Sequence, residues 1–339
     1  MVIKLFAIEG VMKVLMFLAV GLLGAFVAQA QPSASNAGAA TGYPDKPVRL
    51  VIGFPAGSAT DIASRILANK MGEFLGQSVL VENRPGASTS IAAVQVAKAA
   101  PDGYTLFMAG NSNAVTPSLQ KNVPFDFFRD FAPVALGVGV PNILVVNASL
   151  GVSDVPQLVD MVKKNPGKVF FASSGNGTMS HLAGELFGHT IGSRMTHVPY
   201  KGSNQALTDV LGGSVPVMFA PAATVLPYVK DGKLRALVSN GAERSRLVPD
   251  LPTIAERGLP DYDTRIWFGI VAPARTPEAV IRKLADALRR TQDSNDVREL
   301  LTQQGMEPFR GDARAFAEHM QKEMTRWSTL IKSRGITAE

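Results

Sequence analysis

From residue 48 onward, short β-forming apolar runs alternate with helical stretches, and this alternation constrains the fold more than any other feature of the sequence. Residues 48–54 are such a run. Apolar residues at helical spacing follow over 61–75, and a second short run covers 78–82. Strands that alternate with helices build right-handed βαβ units, in which neighbouring strands lie parallel. The sequence therefore predicts an α/β fold with parallel sheets covered by helices.

The same alternation resumes later in the chain and continues to a last amphipathic helix that opens at Asp312. The predicted strands of this part cover residues 142–146, 169–172, 196–198, 215–219, 234–238 and 267–271. A chain of 339 residues, at roughly 150 residues per domain, is long enough for two domains with a core each. We therefore expect two α/β domains.

The amino terminus has the features of an export signal. Residues 14–27 form an unbroken apolar run that is shorter than the ~20 residues of a transmembrane helix. The small-x-small sequence Ala28-Gln29-Ala30 follows, as at a signal-peptidase site. We expect a signal peptide over residues 1–30, a flexible leader over 31–42 and a soluble protein in the periplasm. The alternative is an uncleaved membrane anchor. Translation that starts at Met12 instead of Met1 would give a more typical signal peptide.

Composition excludes several classes of function. The chain has no cysteine, which excludes disulfides, thiolate metal sites and cysteine nucleophiles. Lys and Arg number 34 against 28 Asp and Glu, and this small, scattered excess does not predict nucleic-acid binding. No cofactor is predicted.

Loops that lead from a strand into a helix are the candidate binding site, because ligands of open parallel sheets bind outside the carboxyl ends of the strands. The first such loop carries two glycines and a Ser-x-x-Asp capping box, and its free backbone N–H groups can hold an anion. It is not a Walker A loop, because no lysine precedes its Ser or Thr. A plain helix cap is the competing interpretation. The ligand-binding candidates in this loop are Phe54, Ala56, Gly57, Ser58, Thr60 and Asp61.

Two further loops of this kind follow later strands. Residues 173–178 offer hydroxyls and free amides, and residues 110–113 are again polar and uncharged. The former lacks the third glycine of a dinucleotide-binding loop and the Gly-x-Ser-x-Gly sequence of hydrolases. The ligand-binding candidates in these loops are Asn111, Ser173, Ser174 and Thr178.

A possible metal site consists of His181, Glu185 and His189, which lie four residues apart on one helix face. Catalytic zinc requires three convergent ligands and an open position, and no second cluster of His or Glu lies nearby. The competing interpretation is a partly exposed helix face on which His181 helps to order the preceding loop. We therefore predict no metal and retain His181 as a ligand-binding candidate.

A series of short motifs runs in order from residue 43 to the carboxyl terminus. They are YPxKPVR (43–49), VENRPGA (81–87), PDGYTL (101–106), HVPYKG (197–202), GKLRAL (232–237), PDLPT (249–253) and WFG (267–269). In this order and spacing, the motifs resemble those of the substrate-binding receptors of tripartite tricarboxylate transporters, the Bug receptors.

The resemblance implies a type II periplasmic binding protein fold, in which two α/β domains surround a ligand cleft and two segments cross between them. Domain 1 would contain residues 43–147 and 266–339, and domain 2 residues 148–265. The resemblance also implies a small carboxylate ligand held by loop amides and ordered water. The protein would then be a monomeric, non-catalytic receptor that delivers this ligand to membrane permease subunits.

One departure from the family pattern bears on the ligand. In such receptors the loop after residue 219 often holds an acidic residue, whereas this chain has Ala220-Pro221-Ala222. We therefore place Ala220 at the site and expect a carboxylate without an amine. The alternatives are a secreted α/β hydrolase, for which a nucleophile with its base is missing, and a ligand sensor that feeds a signalling kinase.

Overall fold

Two β-sheets with helices on both faces organise the protein in the computed structural model, which describes residues 42–120, 122–241, 244–260 and 262–336. The strands in chain order are β1 (Val48–Ile52), β2 (Val79–Asn83), β3 (Thr105–Gly110), β4 (Phe131–Val140), β5 (Asn142–Asn147), β6 (Phe170–Ser173), β7 (Thr196–Pro199), β8 (Val217–Pro221), β9 (Leu234–Ser239), β10 (Ile266–Pro273) and β11 (Glu307–Gly311). The helices are α1 (Ala59–Leu75), α2 (Ser90–Ala97), α3 (Asn111–Leu119), α4 (Phe127–Asp130), α5 (Val155–Lys164), α6 (Met179–Thr190), α7 (Ser203–Leu211), α8 (Ala222–Lys230), α9 (Glu278–Asp293), α10 (Asn295–Gln303) and α11 (Ala313–Arg334). The predicted α/β class is confirmed.

The first sheet has six strands in the order β11-β4-β10-β3-β1-β2. Strand β1 pairs in parallel with β2 and β3, as the βαβ pattern predicts. Strand β10 instead runs antiparallel to both β3 and β4, and β11 runs antiparallel to β4. The prediction of parallel strands is therefore confirmed for β1, β2 and β3 but does not extend to β10, which returns from the second sheet against the direction of its neighbours.

The second sheet has five strands in the order β7-β6-β8-β5-β9. Strand β6 is parallel to β7 and β8, whereas β5 is antiparallel to β8 and β9. We call the first sheet with its helices lobe 1 (residues 48–140 and 266–334) and the second sheet with its helices lobe 2 (residues 142–239).

The chain crosses from lobe 1 to lobe 2 at Pro141, between the end of β4 and the start of β5. It returns in the segment between β9 and β10. The resemblance implied a first domain that runs to residue 147, whereas β5 joins the second sheet, because an apolar run predicts a strand but not which sheet that strand joins. The division into two separate domains at the predicted boundaries stays a prediction.

Each sheet is buried on both faces. Along β1, Val48, Leu50 and Ile52 contribute to one core and Val51 contributes to another on the opposite face. Strand β5 alternates in the same way, with Leu144 on one face and Ile143 on the other. Successive side chains of a strand point to opposite faces, so apolar runs without polar alternation are what a sheet covered on both sides requires.

Some elements are not visible in the sequence pattern. Strand β4 contains two glycines and a proline, and α3 begins with polar residues and contains Pro117. Such residues favour turns and loops when they are judged locally. Their burial between neighbouring elements outweighs that preference here.

The predicted signal peptide, its cleavage site and all of the leader but residue 42 lie outside the described residues. Within the part of the chain that the structure describes, no helix is both long and apolar enough to cross a membrane.

Candidate functional site

A cleft of about 560 Å³, partly open to solvent, lies where strands of both lobes end and helices of both lobes begin. The helix-start residues that line it are Ser58, Ala59 and Thr60 of α1, Asn111, Ser112 and Asn113 of α3, Thr178, Met179 and Ser180 of α6, and Ser203 of α7. The remaining lining residues are Phe54, Thr89, Met108, Gly110, Ser174, Pro221, Ile266 and Phe268. A ligand in this cleft would contact both lobes, and none of the lining side chains is ionisable at neutral pH.

The helix starts give the cleft its electrostatic character. The first N–H groups of a helix have no intrahelical acceptor, and the helix dipole places about half a positive charge at this end. Helices α1 and α3 of lobe 1 and α6 and α7 of lobe 2 direct such ends at one space. The cleft therefore attracts anions without a cationic side chain in its lining.

In lobe 1, a carboxylate behind the cleft holds the loop before α1. The Asp61 carboxylate accepts hydrogen bonds from Gly57 N–H (3.0 Å), Asn83 Nδ2 (2.9 Å) and Arg65 Nε (3.1 Å). Burial would raise the pKa of Asp61, but the hydrogen bonds from Arg65, Gly57 and Asn83 outweigh it and lower this pKa. The Ser58 hydroxyl caps the helix by accepting from Asp61 N–H at 3.3 Å. Asp61 thus orders the loop, and its carboxylate is not free for a ligand.

In lobe 2, neutral groups hold the loop before α6. Ser173 Oγ lies 2.6 Å from His197 Nε2, and Thr178 Oγ1 donates to Gly175 O at 2.7 Å. The backbone N–H of Ser174 donates to Ser180 Oγ at 3.0 Å. Hydroxyls and imidazoles therefore do in lobe 2 what Asp61 does in lobe 1.

His181 lies behind this loop rather than in the cleft. Its Nδ1 accepts from Gly177 N–H at 3.2 Å, and its ring stacks on His197 with centroids 4.1 Å apart. Burial lowers the pKa of His181 to about 4. Burial, with a smaller contribution from His181, lowers the pKa of His197 to about 3. Both rings are therefore neutral at physiological pH.

The possible zinc site does not assemble in this geometry. His181 Nε2 is 3.9 Å from Glu185 Oε1, and His189 is exposed on the far part of the helix. Among the residues that the structure describes, no three His, Asp or Glu side chains group as metal ligands would.

The structure brings part of the predicted site together at the cleft. Six of the predicted residues line it: Phe54, Ser58, Thr60, Asn111, Ser174 and Thr178. The other six, Ala56, Gly57, Asp61, Ser173, His181 and Ala220, are not among the lining residues. Of these, Ala56 and Gly57 are exposed, and Ala220 is buried within β8 beside the lining residue Pro221.

Asn111 lines the cleft, but its side chain serves the scaffold. Its Oδ1 accepts from Trp267 N–H at 2.9 Å, and its Nδ2 donates to Glu323 Oε2 at 3.2 Å. These bonds tie the start of α3 to β10 and α11, so the backbone of Asn111 is the part that can face a ligand.

The sequence missed several polar lining residues. Ser112 and Asn113 stand in a loop that had been singled out, and Ser203 follows the motif that ends at Gly202. Each lies at a helix start after a strand, so the rule that located Ser58 would also have found them. Thr89 is the N-cap of α2, but the irregular turn 87–89 separates it from the end of β2, so the strand-end rule does not locate it.

Direct contacts join the lobes beside the cleft. Ser88 Oγ donates to Asn176 O at 2.9 Å, and Asn204 Nδ2 donates to Gly57 O at 3.1 Å. Ala87, Ser88 and Thr89 all have φ between 46° and 76°, in the left-handed region that non-glycine residues avoid. A second, wider opening of about 970 Å³ shares Phe54, Thr89, Ser174 and Thr178 with the cleft and has Lys201 at its edge.

The fold and the cleft define a solute-binding protein of the periplasmic type, with two lobes, two crossings and a cleft of helix starts between them. A family model described as the tripartite tricarboxylate transporter family receptor matches residues 63–336. The chain therefore belongs to this receptor family, as the motifs indicated.

Individual relatives agree with this assignment. Protein BugT of Bordetella pertussis is 34% identical over 316 residues, which are 93% of this chain and 96% of BugT. The structure of the periplasmic binding protein BugD has a TM-score of 0.81 at 32% identity and covers 87% of this chain and 99% of its own. The structure of Rpa4515 from R. palustris with adipate has a TM-score of 0.83 at 34% identity, with coverage of 87% and 99%. The family and its structural relatives are receptors, so the chain is a solute-binding protein and not an enzyme, and the hydrolase alternative finds no support.

Proposed function

We propose that this receptor captures a small dicarboxylate without an amine in the cleft between its lobes. The observation that carries the proposal is the convergence of helix starts from both lobes on a cleft lined by no ionisable side chain. Helix N-termini carry a partial positive charge and free N–H donors, so helix starts in both lobes can each hold a carboxylate of a dianion. The related Rpa4515 structure contains adipate, a dicarboxylate, and supports this ligand class.

The apolar part of the cleft determines what chemical groups the central part of the ligand can carry. Met108, Met179, Ile266 and Phe268 line it between the polar helix starts. An ammonium group placed against these side chains would be desolvated without a carboxylate partner, which is costly. The ligand we expect therefore has polar groups at its ends and an unsubstituted hydrocarbon centre.

Titration calorimetry and thermal shift with straight-chain dicarboxylates, from succinate to adipate, test this proposal. Glutamate is the matched control, because it carries the same end groups as glutarate plus an amine. We expect at least one dicarboxylate to bind and to raise the melting temperature, and glutamate to bind at least tenfold more weakly than glutarate if glutarate binds. Equal binding of glutarate and glutamate, or no binding by the series, would contradict the proposal.

We further infer that the protein works in the periplasm as a monomer and passes its ligand to the permease subunits of a tripartite tricarboxylate-type transporter. The predicted signal peptide and the family of receptors support this role. Fractionation with amino-terminal sequencing should find periplasmic protein that begins at Gln31. Material that retains residues 14–27 would contradict the export step.

Closure of the lobes on the ligand follows from the same geometry. A ligand that contacts both lobes favours the closed form by the difference between its affinities for the two forms. Small-angle scattering should show a smaller radius of gyration with a saturating dicarboxylate that calorimetry has identified. Identical scattering curves would count against closure.

A further inference from the structure

We propose that His181 and His197 are positioning residues: their stacked neutral rings hold the loop 173–178 in the shape that presents its amides to the ligand, and acid releases this loop. This role rests on the proposed function of the cleft only in its last step, the effect on ligand affinity. The effect on the loop itself can be measured without a ligand.

Each of the two rings contacts a different end of the loop. His181 Nδ1 accepts from Gly177 N–H at 3.2 Å, and His197 Nε2 lies 2.6 Å from the hydroxyl of Ser173. The same hydroxyl accepts from Gly175 N–H at 3.1 Å. The imidazoles thus hold the loop at both ends, and its neighbours Ser174 and Thr178 face the cleft.

The stack fixes the rings themselves. Their planes are within 16° of parallel with centroids 4.1 Å apart, and His197 also stacks on Phe171 at 5.0 Å. His181 is 1% exposed, so its ring cannot move away without opening the core. Two face-to-face rings in this position accommodate neutral imidazoles but not two imidazolium ions, because buried like charges repel strongly.

Protonation of His181 also removes the bond to Gly177. A protonated Nδ1 is a donor, and it would then face the N–H donor of Gly177. The loop must rearrange to relieve this contact, which costs the fixed positions of its amides. Neutral His181 and the ordered loop therefore require each other.

The neighbouring groups do not stabilise a charged pair. Glu185 lies on the same helix, with its Oε1 3.9 Å from His181 Nε2. Burial raises the pKa of Glu185, against a smaller lowering by Arg194, because the charged form of a buried carboxyl is poorly solvated. Strand β6 contributes Phe171 and Ser173, which contact His197 on β7. Tyr262 donates its hydroxyl hydrogen to Ala183 O on the helix that carries His181.

Loop-ordering can be tested directly with hydrogen exchange of the ligand-free protein, measured by mass spectrometry on peptides that span residues 174–178. In His181→Asn, the Oδ1 atom is bonded to Cγ, as Nδ1 is in histidine. It can therefore accept a hydrogen bond from Gly177 N–H, but it does not titrate. His181→Phe removes the acceptor. We expect exchange of these amides about tenfold faster in His181→Phe and near that of the wild type in His181→Asn at pH 7, because loss of an acceptor leaves a donor unpaired.

The acid response separates a positioning role from a packing role. Between pH 7 and pH 4, loop protection relative to intrinsic exchange should fall in the wild type and stay nearly constant in His181→Asn. His189→Gln is the matched control, because this histidine is exposed on the same helix and should leave the response unchanged. An unchanged loop in His181→Phe, an equal acid response in His181→Asn, or loss of the response in His189→Gln would overturn the proposal.

The final comparison is of ligand affinity. Adipate is the probe; if adipate does not bind, another dicarboxylate that calorimetry shows to bind takes its place. The ratio of the Kd of the wild type to that of His181→Asn should rise about twofold from pH 7 to pH 4, because about half of the wild-type protein carries a protonated His181 at pH 4 and the competent fraction falls accordingly. The protonation of adipate affects both proteins equally and cancels in this ratio. A ratio that does not change with pH, together with the expected loop response, would show that the loop does not govern binding. If no dicarboxylate binds at all, the proposed function fails, but the loop measurement still decides the role of the histidines.

Discussion

The loops before α1 and α6 present helix amides to the same cleft, yet opposite chemistry holds each of them in place. In lobe 1 the ionised carboxylate of Asp61 is held by Arg65 and Asn83. In lobe 2 the corresponding contacts come from neutral hydroxyls and the rings of His181 and His197. The charged groups of lobe 1 stand behind the loop, and the lining of the cleft remains free of ionisable side chains in both lobes. An anion site can thus be ordered by acids or by imidazoles, provided that neither reaches the ligand.

The largest expected effect is loss of the lobe 1 scaffold in Asp61→Ala. The substitution removes the charged acceptor of Gly57 N–H and Arg65 Nε and leaves Asn83 Nδ2 with Phe54 O alone, so we expect a loss of about 3 kcal/mol of unfolding free energy. Dicarboxylate affinity should fall more than tenfold at the same time. Denaturant titration and calorimetry measure the two effects. Asp61→Asn, which keeps one acceptor oxygen, should recover part of both, and an unperturbed Asp61→Ala would show that the lobe 1 loop needs no carboxylate.

The pH dependence of stability should separate the two scaffolds. A histidine with a pKa of about 4 when folded and ~6.5 when unfolded stabilises fully above pH 6.5 and progressively less below it. For His181 alone the loss is about 2 kcal/mol by pH 5. The lowered pKa of Asp61 gives stability that is present above its unfolded pKa and disappears only at lower pH. Denaturant titrations at several pH values should therefore show a loss between pH 6.5 and 4 that His181→Asn reduces but does not abolish, because the lowered pKa of His197 contributes a loss in the same range. A wild-type unfolding free energy that stays constant down to pH 4 would contradict the prediction that the histidine contribution is lost before that of Asp61.

A smaller effect is expected when one cleft amide is removed without disturbing a scaffold. Ala59 is the first residue of α1, a position at which proline is tolerated because its N–H makes no intrahelical bond. Ala59→Pro should weaken dicarboxylate binding by roughly 1 kcal/mol, or about fivefold in Kd, through loss of one helix-terminal donor. Asn295→Pro makes the same change at the exposed start of α10 and is the control. Equal affinity in the two variants would argue against amides as the anchor.

The smallest effect is expected from the cation at the edge of the wider opening. Lys201 is exposed, and water and salt screen its charge. Lys201→Ala should change the dicarboxylate Kd by less than about twofold, and affinity should stay nearly constant from pH 6 to 9, where neither scaffold changes its charge. Abolished binding in Lys201→Ala would show instead that a charge pair holds the ligand.

The sequence located the cleft better than it located the roles of its residues. Strand ends followed by Ser or Gly identified the loops that contain Ser58 and Ser174, because topology places such loops at one edge of a sheet. The same reasoning gave ligand-binding roles to Asp61 and His181, whose side chains instead bond to their own loops. His197 was missed altogether, because its importance comes from pairing with Phe171 across two strands. The sequence contains no local signal for such a pairing.

The crossing at Pro141 also determines the order in which the protein can be assembled. All strands of lobe 2 lie within residues 142–239, so even the pairing of Ile143 with Ser239 closes a shorter loop than the pairing of Gly110 with Phe268 in lobe 1. Strand β10 lies between β3 and β4, so the centre of the lobe 1 sheet remains open until residues 266–273 have emerged. Contacts between segments distant in sequence form more slowly because the chain between them must first be brought together. Lobe 2 should therefore mature first, and the cleft, which needs helix starts from both lobes, should be the last part of the molecule to take shape.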